Sequence, residues 1–261
     1  MVPIAARAAA GLALAAGFGL APAFAGSGWA GGFERLHYRV SWGFLTAGKA
    51  IIQARSPRPG TAELLTETCA DGALDALYES RDRLLAHSRM DGDRWRTEAF
   101  RTARRGEDGR RVRQYRFSGD GVVHIRDLIS GNTDYLPADA GTLDVLTALY
   151  AIRSRTLRPG RAFTLPVLDR GEPYRLHVRV GEPERRQTLL GGRTRTVRVH
   201  TYLEEEGTHR RKRPLRIWFT ANARHLPVRL VAKAPVGRVT LDLIRIQHRP
   251  PPDPQAGLPC N

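Results

Sequence analysis

The side chains able to do chemistry are present in this chain but scattered along it. Of eight histidines, His200, His209 and His225 lie near one another in sequence. Strand alternation puts no two of them at the spacing of metal ligands, so no metal site is expected. Asp71 with Asp75, and Glu79 with Asp82, are carboxylate pairs of the kind that share acid and base work. Arg81 and Arg83 stand beside them, and salt bridging explains the acids without catalysis. The chain has no G-x-S-x-G elbow, no H-E-x-x-H, no P-loop and no G-x-G-x-x-G after a strand. No catalytic residue and no cofactor are therefore expected, and the chain reads as non-enzymatic.

Two sets of binding candidates remain. Tyr38, Trp42, Tyr78, Tyr150 and Trp218 recur near strand ends and helices. They suit the lining of an apolar cavity, since small-ligand sites are mostly apolar and aromatic. The competing reading is ordinary core, because aromatics in strands usually pack. Arg210, Arg211, Lys212 and Arg213 form a basic run that suits an anion or an anionic partner, because guanidinium grips phosphate and carboxylate in a fork. A solvated hairpin loop accounts for it equally well.

The elements that must position these residues are mainly strands. From Leu36 the apolar pattern has period two, the mark of a half-buried strand: Leu36, Tyr38, Val40 and Trp42 alternate with His37, Arg39 and Ser41. Gly43 and Gly48 bracket a turn or bulge. Residues 50–54, 64–69, 84–90, 95–102, 111–117 and 122–127 continue as strands between turn signals such as Asp91-Gly92-Asp93. Residues 140–153 switch to helical spacing, with Thr142 as the expected N-cap. Residues 72–78 suit a shorter helix. Strands resume at 162–167, 174–180, 196–203, 215–220, 228–233 and 239–246, with Arg210–Pro214 between two of them. The expected class is all-β and mainly antiparallel: a strongly curved sheet or partly open β-barrel with one covering helix.

The N-terminus looks like an address. Arg7 precedes an apolar run from Ala8 to Leu20, then Ala21-Pro22-Ala23-Phe24-Ala25. Small residues at Ala23 and Ala25 fit the A-x-A site of a signal peptidase, so residues 1–25 are expected to be a cleaved signal peptide. The run is shorter than the roughly 20 residues a membrane helix needs. A periplasmic location follows as an expectation, with one β-rich domain over 26–249 and a Pro-rich tail over 250–261. No transmembrane segment is expected in the mature chain.

The formal charge is +16, carried almost wholly by arginine. Codon bias in a GC-rich genome explains the choice of Arg over Lys, but the charge still attracts anionic surfaces. Export removes nucleic acid from the expected partners and leaves lipid headgroups and acidic envelope polymers. Of the two cysteines, Cys69 and Cys260, the second sits in the Pro-rich tail. An oxidising compartment permits them to pair; two free thiols remain the alternative.

Several stretches in order carry a family resemblance. They are Tyr38–Gly48 (YRVSWGFLTAG), Leu77–Arg83 (LYESRDR), Asp144–Arg153 (DVLTALYAIR) and Leu157–Gly160 with Leu165–Val167 (LRPG, LPV). Ile217–Thr220 (IWFT), Leu226–Val228 (LPV) and Pro235–Gly237 (PVG) complete the set. Together they resemble the exported bacterial proteins of domain-of-unknown-function family 3108, from about Leu36 to Ile246. The resemblance implies a periplasmic β-rich protein and carries over no active site. Asn222 stands where that family more often has an acidic residue.

The functional expectation is an exported protein that binds a lipid or other amphiphile in the cell envelope. The alternative is an envelope assembly or scaffold protein holding a protein or anionic polymer.

Overall fold

The computed structural model describes residues 28–29, 31–70, 81–106, 109–205, 211–234 and 237–252. Seven strands follow one another in the first half: β1 (Phe33–Trp42), β2 (Leu45–Arg55), β3 (Thr61–Ala70), β4 (Arg81–Asp91), β5 (Arg94–Gly106), β6 (Gly109–Phe117) and β7 (Val122–Asp127). β8 (Thr133–Pro137) ends this run, and the two-residue β9 (Leu143–Asp144) leads into helix α1 (Val145–Ser154). The second half adds β10 (Ala162–Asp169), β11 (Glu172–Gln187), β12 (Arg193–Glu205), β13 (Arg211–Thr220), β14 (Pro227–Ala234) and β15 (Gly237–Gln247).

All fifteen strands lie in one sheet, in the order β8-β7-β6-β5-β4-β3-β2-β1-β15-β14-β13-β12-β11-β10-β9. Two antiparallel meanders, β1 to β8 and β10 to β15, are therefore joined through β1 and β15, and the short β9 adds parallel to β10. β8 and β9 are the two edges. They do not pair, so the sheet is open and strongly curved rather than a closed barrel. This is the expected class.

Local chemistry explains the bends. Gly48 flanks a bulge in β2 at Ala47, where the register with β1 shifts between Val40 and Ser41. A Cβ on Gly48 would fall 2.0 Å from the Cys69 carbonyl oxygen, so only glycine lets β2 approach β3 this closely. The register of β11 and β12 shifts between Val180 and Pro183. Proline cannot donate to the ladder, which is why it occupies an irregular position.

α1 lies inside the curve, against β3, β4, β5, β9 and β10. Residues 146–154 are all buried, the pattern of a helix surrounded by protein. Its N-cap is Asp144, not the expected Thr142. The Asp144 carboxylate accepts from the backbone N–H groups of Leu146 (2.8 Å) and Thr147 (3.1 Å), and from the Thr97 (2.7 Å) and Thr147 hydroxyls. Thr142 instead donates its hydroxyl to the Asp139 carbonyl at 2.7 Å and closes the preceding turn. A carboxylate satisfies more orphan donors than a hydroxyl at this position.

β8 carries no period-two signal, so the sequence pattern predicts no strand there. Two further expectations are corrected. β11 runs on to Gln187 past Gly181. Arg211 to Arg213 belong to β13 rather than to a loop. The expected helix over 72–78 lies outside the described residues. Among the described residues, no helix is long and apolar enough to cross a membrane.

Candidate functional site

The concave face of the sheet is filled. Leu36, Tyr38, Ala50, Leu64, Ala86, Phe100, Val199 and Phe219 meet Leu146, Leu149, Tyr150 and Ile152 of α1 in one core. Trp29 closes it, with its ring 5.8 Å from Tyr150 and 6.4 Å from Trp95. Gly28 passes so close to the helix end that a Cβ would lie 2.7 Å from the Arg153 carbonyl oxygen.

A polar cluster is built into that core. The Arg153 guanidinium donates to Glu34 at 2.8 and 3.3 Å, to the His225 carbonyl at 3.1 Å and to the Arg224 carbonyl at 3.3 Å. It also stacks 4.7 Å over the Tyr150 ring. Burial works against its charge, but Tyr150 and Glu34 beside it outweigh burial and hold it ionised. Burial raises the phenols of Tyr38 and Tyr150 and the carboxyl of Asp144. It lowers the His225 imidazole, whose Nδ1 donates to the Arg153 carbonyl at 2.7 Å. Arg153 at the centre bonds Glu34 of β1 and the carbonyls of Arg224 and His225, which ties α1 to β1 and to the turn before β14.

The four described aromatic candidates, Tyr38, Trp42, Tyr150 and Trp218, do not surround one cavity. Tyr38 and Tyr150 meet in the core beside Arg153, with the Tyr38 hydroxyl donating to the Pro227 carbonyl at 2.8 Å. Trp42 is half-buried at the β1–β2 hairpin, next to the fully projecting Phe44. Trp218 lies on the opposite face of β13 from Ile217 and Phe219. Its indole N–H donates to Glu184, and Arg186 stacks 4.3 Å over its ring. Burial raises the Glu184 carboxyl, but the bonds from Trp218 and Arg186 outweigh it and hold the group low. Tyr78 lies outside the described residues.

The basic run is largely spent on internal pairing. Arg213 forms an ion pair with Asp169 and sits 5.6 Å over the Tyr174 ring. Lys212 pairs with Glu205, and Arg211 stacks 4.8 Å over Tyr202. Arg210 lies outside the described residues. The Arg213 contacts join β13 to the β10–β11 turn, whereas those of Lys212 and Arg211 hold it to the neighbouring β12. That turn reaches β6 in its own right: a Cβ on Gly171 would lie 3.7 Å from Arg113 and 3.8 Å from the Tyr115 hydroxyl.

The two ends of the sheet thus approach without pairing, and a groove runs along the seam. Its larger part is a cleft of about 620 Å³ between β4–β5, the β6–β7 hairpin and the β8–β9 link. Phe117, Val122, Val123 and Ala138 supply apolar surface, and Arg89 and Arg96 stand at its rim. Arg89 pairs with Glu98; Arg96 is exposed and enters no ion pair among the described residues. A second cleft of about 240 Å³ continues toward Pro166, Tyr174 and Arg175. The two share Gly121, Ala138, Asp139 and Thr142, so they lie side by side along the open edge. The sequence reading missed these residues. They come from six separated segments, and no short pattern joins them.

The family described as "Protein of unknown function (DUF3108)" matches residues 37–244. The chain belongs to the DUF3108 family. No curated protein matches it. Among solved structures, a β-barrel-like protein of the DUF1849 domain of unknown function from Brucella abortus superposes with a TM-score of 0.53 at 11% identity. That likeness covers 83% of this chain and 98% of the other, and it shows the fold. A duf1089 family protein from Pseudomonas aeruginosa matches at 18% identity over 69% of this chain and 87% of the other. Its TM-score of 0.35 is too low to carry an argument.

Proposed function

We propose that this DUF3108 protein is exported, loses residues 1–25, and binds an anionic amphiphile in the seam groove of its open sheet without catalysing a reaction. The groove is the observation that carries the reading. Its larger cleft, about 620 Å³, falls in the range of small-molecule sites. An apolar floor of Phe117, Val122 and Ala138 suits an acyl chain. Arg96 at the rim suits a phosphate or carboxylate head, which guanidinium grips by two bonds. The leader pattern over residues 1–25 supports an envelope location, where such molecules are abundant. The non-enzymatic part rests on the sequence, which lacks the motifs of nucleophilic and metal catalysis.

The site differs from the aromatic set expected from sequence alone. Tyr38 and Tyr150 sit in a filled core, whereas the groove lies at the surface and is reached without opening the fold.

A displacement assay with a fluorescent fatty acid tests the reading. Ala138→Trp places an indole where the two clefts meet, and Arg96→Glu reverses the charge at the rim. Both should weaken binding by roughly tenfold or more, since one lost charge-assisted bond is worth about 1.5–3 kcal/mol. Binding unchanged in both variants, with fold intact by circular dichroism, would remove the groove from consideration.

A second reading has its own observation. Ile129 and Tyr135, at 58% and 62% exposure, project at edge strand β8, whose outer side pairs with no strand among the described residues. Such an edge suits strand addition by a protein partner. Photo-crosslinking from position 135 in the envelope separates the readings: a protein adduct favours the scaffold role, a lipid adduct the first.

A further inference from the structure

The β1–β2 hairpin ends in the most exposed large apolar side chain among the described residues. Phe44 is 95% exposed, Leu45 beside it is 49% exposed, and Trp42 is half-buried. The turn itself does not ask for them. Trp42 pairs with Leu45, which leaves Gly43-Phe44 as a two-residue loop. Gly43, at φ +61°, fills the first central position, where glycine is favoured; the second needs no apolar side chain. The fold gives the Phe44 ring nothing to pack against, and three adjacent apolar residues at one tip make a patch rather than a scattered exposure.

The β14–β15 hairpin supports this tip from the side. The Gly43 N–H donates to the Arg238 carbonyl at 3.0 Å. A Cβ on Gly237 would lie 3.1 Å from the Trp42 indole nitrogen, so glycine there lets the indole rest against β15.

Charge surrounds the tip, and it has one sign. Lys233 stands directly opposite Arg238 across β14 and β15, and Arg39 opposite Lys49 across β1 and β2. All four are exposed. Like charges directly opposite one another destabilise a sheet. No acid occurs from Tyr38 to Ala62 or from Pro227 to Leu241, so neither hairpin carries an acid of its own. Asp242, the other neighbour of Arg39 across the sheet, pairs with Arg229 at 3.5 Å.

We propose that these two hairpins dock the protein on the surface of an anionic phospholipid bilayer. Phe44 and Leu45 enter the boundary between headgroups and acyl chains, Trp42 lies at headgroup level, and Arg39, Lys49, Lys233 and Arg238 meet the lipid phosphates. The charge favours a bilayer, because basic residues beside an apolar anchor are drawn to anionic headgroups. Tryptophan suits the boundary, since its ring is apolar and its N–H is polar. The dimensions agree. Arg39 stands three residues below Trp42, about 10 Å at about 3.4 Å per residue. Interfacial apolar groups sit about 5–10 Å deep, which brings Arg39 and Lys49 to the phosphates once the tip is inserted. The seam groove uses none of these residues, so docking is a second function and does not rest on the first.

Co-sedimentation of the full chain with vesicles tests the proposal. One set holds phosphatidylglycerol and phosphatidylcholine in equal parts, and the other phosphatidylcholine alone. Binding should be roughly tenfold weaker on the neutral set. Phe44→Ser should weaken binding to the anionic set roughly tenfold, the effect of keeping one aromatic ring in water. Lys233→Glu with Arg238→Glu should weaken it by roughly as much and reduce its sensitivity to salt. Residues 1–25 are the same in every chain and cannot produce these differences. Phe44→Ser should leave fatty-acid binding in the groove unchanged, which keeps failure of the docking account separate from failure of the groove account. In Phe44→Trp, brominated acyl chains should quench the added emission. Equal binding by the natural chain and Phe44→Ser, equal binding to both vesicle sets, or emission from position 44 that brominated chains leave unchanged, overturns the proposal.

Discussion

Removing Glu34 should unfold much of the advantage that α1 gives this protein. The Glu34–Arg153 pair is almost wholly dry, at 4% and 1% side-chain exposure, and its shortest contact is 2.8 Å. Among the described residues, Glu34→Leu leaves the Arg153 guanidinium buried with two backbone carbonyls and the Tyr150 ring. Breaking a buried pair from one side costs about 3–5 kcal/mol. For a chain of this size that is a fall in Tm of about 6–20 °C. Arg153→Met should cost at least as much, because the carbonyls of Arg224 and His225 also lose their donor, adding about 1–3 kcal/mol. The double variant is the discriminating one. With both charges gone, the apolar pair fills the same space, and the loss should be smaller than either single loss by at least about 1 kcal/mol. Urea unfolding followed by circular dichroism at neutral pH gives all three values. A Glu34→Leu loss under about 1 kcal/mol, or a double variant whose loss equals the sum of the singles, would refute the reasoning.

Asp144→Ala should lose about 1–3 kcal/mol in the same assay, because the helix cap goes and the Thr97 and Thr147 hydroxyls lose their acceptor. Asp144→Asn should lose less, since the carboxyl is already pushed up by burial and an amide keeps the cap. Stability should also fall in acid. Burial lowers the imidazoles of His225, His37 and His200, so the unfolded chain takes up protons first as pH drops below the ordinary histidine value. That contribution is complete above about pH 6.5 and is lost as pH falls through the lowered values. His225→Gln should flatten the slope of urea midpoint against pH between about 7 and 5, and an unchanged slope would count against this source. Trp29→Ala should cost about 3–5 kcal/mol, because the indole packs between Trp95 and Tyr150. Trp29→Phe should cost under about 1.5 kcal/mol, since the indole N–H has no partner to lose; equal losses would contradict the packing account.

The fold was largely legible because alternation is a direct record of a sheet with one dry face. Leu36, Tyr38 and Val40 mark β1 in this way, and the helical spacing around Leu146 and Leu149 marks α1. The edge strand β8 left no such record, since Thr133, Asp134 and Tyr135 are exposed on both faces. The cap moved from Thr142 to Asp144 because both are good caps, and only the position of Thr97 across the core chooses between them. The site was much less legible. Aromatic type does not tell a filled core from a lined cavity, so Tyr38, Tyr150 and Trp218 read alike although they pack on different faces. The basic run looked free because its partners, Asp169, Glu205 and Tyr202, lie on other strands. The seam groove depends on where the curvature of fifteen strands stops, which no local pattern encodes.

Native mass spectrometry tests the central claim most directly. The full chain would be released gently from the cells that make it, alongside Ala138→Trp prepared in the same way. The account predicts a mature mass beginning at Gly26 that carries an anionic amphiphile of lipid mass, with the adduct lost from Ala138→Trp. A bare protein in both samples, or the same adduct on both, would contradict it.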